Sequence, residues 1–255
     1  MKTIALISTV GGAGRTTLAA MLATLLARRA RAVVALDFDP ENMLGAYLGL
    51  DTLAPNGIGA ALAGQAGAWH DHTWRNDEGV LFVPHGKLTL AQAAACNARL
   101  AANPRWLARA IGEIGLGENG VVLVDTPRYP SQHADQAARS ADLVLCVCPP
   151  EPAACATLVA HLPALREACA DVRIVVNRLN PAREMQRDLL AMLRHAAGGG
   201  ALAHRIHVEA AMGEAFARGV WIVDAAPQSQ ASHDLHGLAQ FVDAWLPAQA
   251  SGERT

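Results

Sequence analysis

The sequence predicts an α/β fold, built as a single-domain, doubly wound and mostly parallel sheet. Short apolar runs rich in β-branched residues alternate with alanine-rich segments along almost the whole chain, a pattern typical of strands joined by crossover helices. The 255 residues contain neither an internal repeat nor a linker-like break, and this length fits one large domain. We therefore expect one domain over residues 1–250 and a frayed tail over 251–255.

Seven segments are predicted as strands, because near-continuous apolar runs are typical of parallel strands buried on both faces. They are Thr3–Ser8, Ala32–Asp37, Val80–Pro84, Val121–Asp125, Leu143–Cys148, Arg173–Asn177 and, with a weaker pattern, Leu202–His207. Helices are predicted between and after the strands, several with proline in the first turn. They are Thr17–Arg29, Pro104–Gly115, Pro130–Arg139, Pro152–Cys169, Ala182–Ala196 and Ser232–Leu246.

Composition excludes several classes of protein. The formal net charge of -2 gives the chain no basic footprint, which argues against nucleic acid as its partner. Five cysteines without CxxC spacing fit neither a disulfide framework nor a zinc site, and His70 and His72 lack an evident third ligand. Neither a signal-peptide pattern nor an apolar run of about 18–20 residues is present. We expect a cytoplasmic protein without direct membrane insertion.

A glycine-rich segment follows the first predicted strand, at the end where ligands of such folds bind. It reads Thr9-Val10-Gly11-Gly12-Ala13-Gly14-Arg15-Thr16-Thr17. Its three glycines allow a tight turn that points backbone N–H groups at a phosphate, and Thr16 lies where a phosphate loop places its Mg²⁺-binding hydroxyl. Thr9 and Arg15 replace the glycine and the lysine of the strict phosphate-loop pattern. Taken alone, the segment fits a phosphate loop and a plain strand-to-helix turn equally well.

Acidic residues follow two further strands and favour the phosphate loop. Asp37 and Asp39 come at the end of the second predicted strand, and Asp125 ends the fourth. An aspartate after an apolar strand is where nucleotide-bound magnesium finds an outer-sphere carboxylate. One such residue is often only a helix cap, but three beside a glycine-rich first loop indicate a nucleotide and metal site.

The motifs at these strand ends resemble the deviant phosphate-loop ATPases of the MinD/ParA type. They are the loop Gly11–Thr17, Asp37-Phe38-Asp39, Val124-Asp125-Thr126-Pro127 and Val175-Val176-Asn177-Arg178. The resemblance implies a P-loop nucleotide-binding domain that takes ATP and Mg²⁺. It implies that Thr16 coordinates the metal, that Asp125 holds it through water, and that Asp39 orients the attacking water. Asp37 is implied as the second catalytic acid.

The same resemblance implies a nucleotide-binding set that reaches beyond the loop. Asn177 would face the adenine, and Glu151 would reach the nucleotide across a face-to-face dimer. The implied nucleotide-binding residues are Gly11, Gly12, Ala13, Gly14, Arg15, Thr16, Thr17, Asp125, Pro127, Glu151, Asn177, Arg178 and Glu209.

Two departures from the family pattern involve the loop's lysines. Lys2 and Lys87 are the only lysines among 21 basic residues. The family carries a lysine before the double glycine and another inside the loop, and this sequence has Val10 and Arg15 there. Arginine keeps the charge but is longer and planar, and valine has no charge. Because phosphoryl transfer depends on electrostatic stabilisation, we expect nucleotide binding with slow or absent hydrolysis.

Three other stretches are similar to the BcsQ family of bacterial cellulose biosynthesis. They are residues 81–89, residues 125–132 followed by Gln136, and residues 207–214. This resemblance implies an ATP-binding accessory protein of cellulose synthesis and secretion that forms an ATP-dependent homodimer. It also implies small cytosolic Bcs partner proteins and the inner-membrane cellulose synthase complex, to which those partners would recruit the chain.

Several alternatives remain open at this point. A cycling MinD/ParA-type ATPase for positioning or partition is the second candidate function, although the last predicted helix lacks the lysine and arginine of a membrane-docking helix. Arg128 fits a surface residue and a nucleotide-sensing switch equally well. His207 is more simply a packed histidine than a ligand, and Met212 and Phe216, spaced i,i+4, are expected to pack in the core.

Overall fold

The computed structural model describes residues 1–65, 67–198 and 202–247. The predicted tail at 251–255 lies outside these ranges. In the described chain, one eight-stranded sheet has the order β3-β4-β2-β5-β1-β6-β7-β8. All neighbouring strands are parallel except the short β3, which is antiparallel to β4. The strands are β1 (Lys2–Ile7), β2 (Val33–Asp37), β3 (Trp74–Arg75), β4 (Leu81–Val83), β5 (Val121–Asp125), β6 (Leu143–Cys148), β7 (Val172–Leu179) and β8 (Leu202–His207).

The helices lie on both faces of this sheet. They are α1 (Arg15–Ala27), α2 (Leu44–Tyr47), α3 (Ile58–Leu62), α4 (Leu90–Ala102), α5 (Trp106–Gly112), α6 (Gln132–Ser140), α7 (Pro152–Ala168), α8 (Glu184–Ala197), α9 (Ala211–Ala217), α10 (Ile222–Ala225) and α11 (Gln230–Trp245). Helices α1, α2, α9, α10 and α11 cover one face, and α3 to α8 cover the other. The predicted doubly wound α/β fold is therefore confirmed.

Strand β1 shows why the sheet must be covered on both sides. Its side chains alternate across the sheet: Ile4 and Leu6 enter the core under α1, and Ala5 and Ile7 enter the core on the opposite face. The strand pairs with β5 on one side and with β6 on the other. The loop that follows β1 therefore opens in the middle of the carboxyl edge of the sheet, next to the end of β5.

Helix starts differ from the predicted ones. Pro104 and Pro130 lie before α5 and α6, and of the three prolines predicted to open helices only Pro152 does so. Helix α6 begins after Ser131, whose hydroxyl accepts a hydrogen bond from the Ala134 N–H at 3.2 Å and so caps the first turn. Helix α1 begins at residue 15 rather than 17, because the loop turns into the helix directly after a left-handed glycine at residue 14.

Helix α4 was not predicted. Thr89 and Gln92 form a reciprocal capping box at its start, which is a recognisable sequence signal. The helix buries only Cys96 and Leu100. Its sequence therefore lacks the repeated buried positions from which a helix is predicted. All five cysteines are buried free thiols. Within the described ranges, no helix is long and apolar enough to cross a membrane.

Candidate functional site

The glycine-rich loop between β1 and α1 turns through two left-handed residues. Gly12 has φ +65° and Gly14 has φ +93°, conformations that residues with a side chain rarely adopt. A Cβ atom on Gly14 would also collide with the amide of Asn177. The Asn177 Nδ2 donates to the Ala13 carbonyl oxygen at 2.7 Å. The predicted adenine-facing residue thus lies against the loop and supports its backbone.

Val10 anchors the start of this loop to the protein interior. It is half-buried and packs against the apolar cores on both faces of the sheet. Its N–H donates to the Ser8 hydroxyl at 3.3 Å. In contrast, Gly11 and Gly12 are exposed. The position that carries a lysine in the MinD/ParA pattern is therefore occupied here by an uncharged packing residue.

The Arg15 side chain turns into the loop instead of extending into solvent. It is 8% exposed. Its Nη1 donates to the Val10 carbonyl oxygen at 3.0 Å, and its Nη2 lies 3.7 Å from Asp39 Oδ2. The Nε atom is buried and has no hydrogen-bond partner in the part of the chain described. The guanidinium therefore holds both the loop backbone and the acidic segment after β2.

Asp37 shapes the segment in which Asp39 lies. Its Oδ1 accepts a hydrogen bond from the Asp39 N–H at 3.2 Å, and its Oδ2 accepts one from the Leu44 N–H at 2.9 Å. Asp39 Oδ1 in turn accepts a hydrogen bond from the Glu41 N–H at 3.0 Å. Both oxygens of the Asp37 carboxylate thus accept hydrogen bonds from backbone N–H groups of residues 39–44. The Asp39 Oδ2 atom instead faces Arg15.

Burial dominates the charge state of the three acids. It raises the pKa of Asp125 to about 7, against the lowering effect of the Thr16 hydroxyl. It also raises the pKa of Asp37 well above the usual range, and the nearby Asp125 raises that pKa further. The pKa of Asp39 is raised by burial, and the Glu41 N–H and the Arg15 guanidinium oppose this shift. The cluster therefore holds more carboxyl groups than Arg15 alone can neutralise, and a bound cation would stabilise their charged form.

The donors at this place fit a magnesium ion that shares its ligands with a phosphate. The Asp125 Oδ2 is buried without a hydrogen-bond partner among the described residues, and Thr16 offers a hydroxyl next to it. Hydroxyl and carboxylate oxygens suit Mg²⁺, which usually keeps waters and phosphate oxygens as further ligands. Over the described ranges, no group of three or more His, Cys, Asp or Glu residues could hold a metal. The protein would therefore supply only part of the coordination shell.

The segment after β5 lies beside the loop. The Thr126 hydroxyl donates to the Leu6 carbonyl oxygen at 2.7 Å, and the Tyr129 N–H donates to the Ser8 carbonyl oxygen at 2.8 Å. Pro127 is half-buried between them, and Arg128 is exposed. These bonds tie the segment to the carboxyl end of β1, where the glycine-rich loop begins.

Four predicted site residues are not joined to the three acids. Glu151 is exposed and precedes α7, and Glu209 follows β8 at the sheet edge. Arg178 is exposed in a left-handed conformation, φ +61°. Among the described hydrogen bonds, none links the side chains of these three residues to the loop. Thr17 lines a separate cleft of about 800 Å³.

Three other candidates have structural partners. The His207 Nδ1 lies 2.7 Å from Asp234 Oδ2 in α11, so this histidine packs as expected and is not a free ligand. Met212 packs partly against the core. Phe216 is 38% exposed and stacks on Tyr47, with ring centroids 4.0 Å apart, so the expectation that it packs in the core is only partly met.

Sequence reasoning missed Asn42, which fixes the far end of the acidic segment. It adopts a left-handed conformation, φ +58°. Its Oδ1 accepts from the Gly86 N–H at 2.9 Å, and its Nδ2 donates to the Ala54 carbonyl oxygen at 2.9 Å. The run Asp-Pro-Glu-Asn after a strand is a usable signal, because asparagine tolerates left-handed turns.

Two buried histidines behind the acidic segment were also missed. The rings of His85 and His133 lie 5.9 Å apart, and His133 lies 4.8 Å from the ring of Phe38. Burial lowers the pKa of His133 to about 3, and His85 contributes to this shift. Burial also lowers the pKa of His85. Both rings are neutral packing groups near neutral pH, and their spacing in the sequence gives no sign that they meet.

Solved structures that are similar to this chain include MinD and McdA. MinD from Pyrococcus horikoshii OT3, solved with Mg-ADP, matches with a TM-score of 0.79 and 24% identity, over 96% of each chain. A McdA variant from Cyanothece, solved with ATP, has a TM-score of 0.79 and 17% identity over 98% of this chain and 99% of that one. A chain of the MinC:MinD complex of Aquifex aeolicus has a TM-score of 0.74 and 21% identity, over 99% of this chain and 100% of that one.

The loop between β1 and α1 and the acids at the neighbouring strand ends thus lie on a P-loop ATPase fold of the MinD/ParA type. The family model described as "Cellulose biosynthesis protein BcsQ" matches residues 1–242. The chain belongs to this family, which confirms both resemblances. A comparison with curated proteins gives no match.

Proposed function

We propose that the chain is an ATP-binding accessory protein of bacterial cellulose synthesis and secretion. It works as a nucleotide-dependent dimeric switch with slow or absent hydrolysis. The observation that carries the nucleotide part is the buried acidic cluster of Asp37, Asp39 and Asp125 beside a left-handed glycine loop. Membership of the BcsQ family supports the cellulose part, and relatives of this fold were solved with Mg-ADP and with ATP.

Each nucleotide-binding group has a task in this proposal. The N–H groups of residues 11–17 and the start of α1 receive the phosphates, because helix N-termini and glycine loops attract anions. Thr16 binds Mg²⁺, and Asp125 holds it through water. Bound Mg²⁺ screens the charge of the phosphate oxygens. Asn177, Arg178, Pro127 and Glu209 complete the nucleotide site from the ends of β5, β7 and β8, and Thr17 continues the loop.

Two features of the loop support slow hydrolysis. Val10 brings no charge to the phosphates of a partner subunit, and it is already packed into the cores. Arg15 brings a planar guanidinium in place of a compact ammonium, and it donates to the Val10 carbonyl oxygen. Because such enzymes act mainly by electrostatic stabilisation, the site binds ATP better than it cleaves it.

The partners are proposed from the family and from the surface around the loop. Glu151 is exposed after the end of β6, the strand that pairs with β1, and in the proposed face-to-face homodimer it points toward the partner's nucleotide. The proposed partners are small Bcs proteins of the cytoplasm and the inner-membrane cellulose synthase complex, which bind according to the nucleotide state. These partners recruit the otherwise cytoplasmic chain to the inner membrane. Residues 1–250 form the working domain.

A cycling ATPase for positioning or partition is the second candidate, since MinD and McdA have this fold. Helix α11 argues against membrane docking, because its sequence from Gln230 to Trp245 contains no lysine or arginine. Deleting the gene in its host separates the two candidates. We expect loss of most cellulose with normal placement of division sites and plasmids. Normal cellulose with misplaced cargo would favour the second candidate.

The metal role of Thr16 gives a direct test of nucleotide binding. We expect Thr16→Ala to weaken Mg-ATP binding about 10- to 100-fold, while ATP binding without Mg²⁺ changes little. Isothermal calorimetry with and without Mg²⁺ measures both affinities. Thr73→Ala is the matched control, because Thr73 is an exposed threonine bonded only to the His70 carbonyl oxygen. Absence of wild-type binding at millimolar Mg-ATP would refute the nucleotide role.

A further inference from the structure

The guanidinium of Arg15 already has partners within the protein, although it lies in a predicted phosphate-binding loop. It is buried, it donates to the Val10 carbonyl oxygen at 3.0 Å, and it lies 3.7 Å from Asp39 Oδ2. Its Nε atom is buried and lacks a hydrogen-bond partner in the described residues. An unsatisfied buried donor costs free energy, so an incoming phosphate oxygen could satisfy it.

Asp39, the acid that Arg15 contacts, is connected by hydrogen bonds to the backbone of residues 41 and 42. Asp39 Oδ1 accepts from the Glu41 N–H, and the Asp39 carbonyl oxygen accepts from the Asn42 N–H at 2.9 Å. Asn42 then bonds the backbone at Gly86 and Ala54. Residues 39–42 therefore bridge the loop and the segments around residues 54 and 86.

We infer that Arg15 is a positioning residue for which the ATP phosphates and the Asp39 carboxylate compete. ATP binding therefore breaks the Arg15–Asp39 pair and releases residues 39–42. This inference rests on the proposed nucleotide role. A guanidinium prefers the bidentate geometry that phosphate oxygens offer, whereas its 3.7 Å contact with Asp39 is too long for a direct hydrogen bond. The pair thus opposes phosphate binding and also links it to the acidic segment.

The test is a double-mutant cycle with Arg15→Gln, Asp39→Asn and the double variant, measured by ATP affinity in calorimetry. We expect Asp39→Asn to tighten ATP binding about 5-fold in the wild-type background, because Arg15 is released. In the Arg15→Gln background the same change should bring no tightening. Simple relief of repulsion between Asp39 and the phosphates would instead tighten binding equally in both backgrounds, which would overturn the inference.

Two further readouts do not depend on catalysis. Without added nucleotide, thermal unfolding of the four proteins should be non-additive by about 2–4 °C. Hydrogen exchange at the Glu41 amide should speed up on ATP binding in the wild type but not in Arg15→Gln. Arg187→Gln is the control, since Arg187 is exposed in α8 and pairs only with Glu184.

The outcomes separate the inference from the proposed function. If the wild type and Asp39→Asn both fail to bind ATP, the nucleotide role fails and the inference fails with it. If the wild type binds ATP, but the affinities are additive and exchange at Glu41 is unchanged, only the inference is overturned.

Discussion

Restoring both lysines should convert this chain into a faster ATPase. We expect Val10→Lys combined with Arg15→Lys to raise the single-turnover rate of ATP hydrolysis about 100-fold, because a single well-placed charge or donor contributes this much to a polar transition state. Residue 10 is half-buried, yet a lysine can keep its stem in the apolar contact and extend its ammonium to the exposed side. Quenched-flow measurement with saturating Mg-ATP gives the rate.

The single variants assign the gain. Arg15→Lys should add less than Val10→Lys, since arginine already keeps the charge. Val10→Met is the matched control, because it lengthens the side chain without adding charge. The rate in Val10→Lys should also depend on protein concentration, since its lysine would act across a dimer. An unchanged rate in the double variant would show that the two substitutions do not limit hydrolysis.

The sequence predicted the turn of the glycine-rich loop and the strand ends beside it, because these depend on local chemistry. Glycines 12 and 14 are required by their left-handed backbone, and Asp37 and Asp125 end strands that only an apolar run of the right length could form. The direction of the Arg15 side chain was not predictable. It depends on Asp39, 24 residues further along the sequence, and on the packing of the β2 end against the loop.

The missed elements share a physical cause. Helix α4 buries only two residues, so it has little of the periodicity on which a helix prediction depends. His85 and His133 come from distant parts of the chain and meet because the end of β4 and helix α6 pack into the same core. Tertiary contacts of this kind leave no pattern along the sequence.

The charged Asp125 carboxylate should lower the free energy of unfolding and also strengthen Mg-ATP binding. Burial raises its pKa in the folded protein to about 7, above its value in an unfolded chain of about 3.9. The folded state therefore holds a proton that the unfolded state has lost between these pH values. The free energy of unfolding should fall as the pH rises from about 4 to about 7, by up to about 4 kcal/mol from this group.

Asp125→Asn should remove that pH dependence, because an amide keeps the acceptor for the Thr126 N–H and carries no charge. We expect the variant to unfold at a higher denaturant concentration than the wild type at pH 8, and at a similar one at pH 4. Urea titrations at these two pH values measure the difference. Asp188→Asn, an exposed carboxylate in α8, is the control and should change neither midpoint by much.

The same substitution should weaken Mg-ATP binding about 10- to 100-fold, because the metal loses its outer-sphere carboxylate. In the wild type, Mg²⁺ should displace the proton on Asp125, so that Mg-ATP affinity rises with pH between about 6 and 8. Calorimetry in two buffers of different ionisation enthalpy detects the released proton, which Asp125→Asn should abolish. A variant that gained stability while it kept full Mg-ATP affinity would show that this buried charge serves something other than the metal.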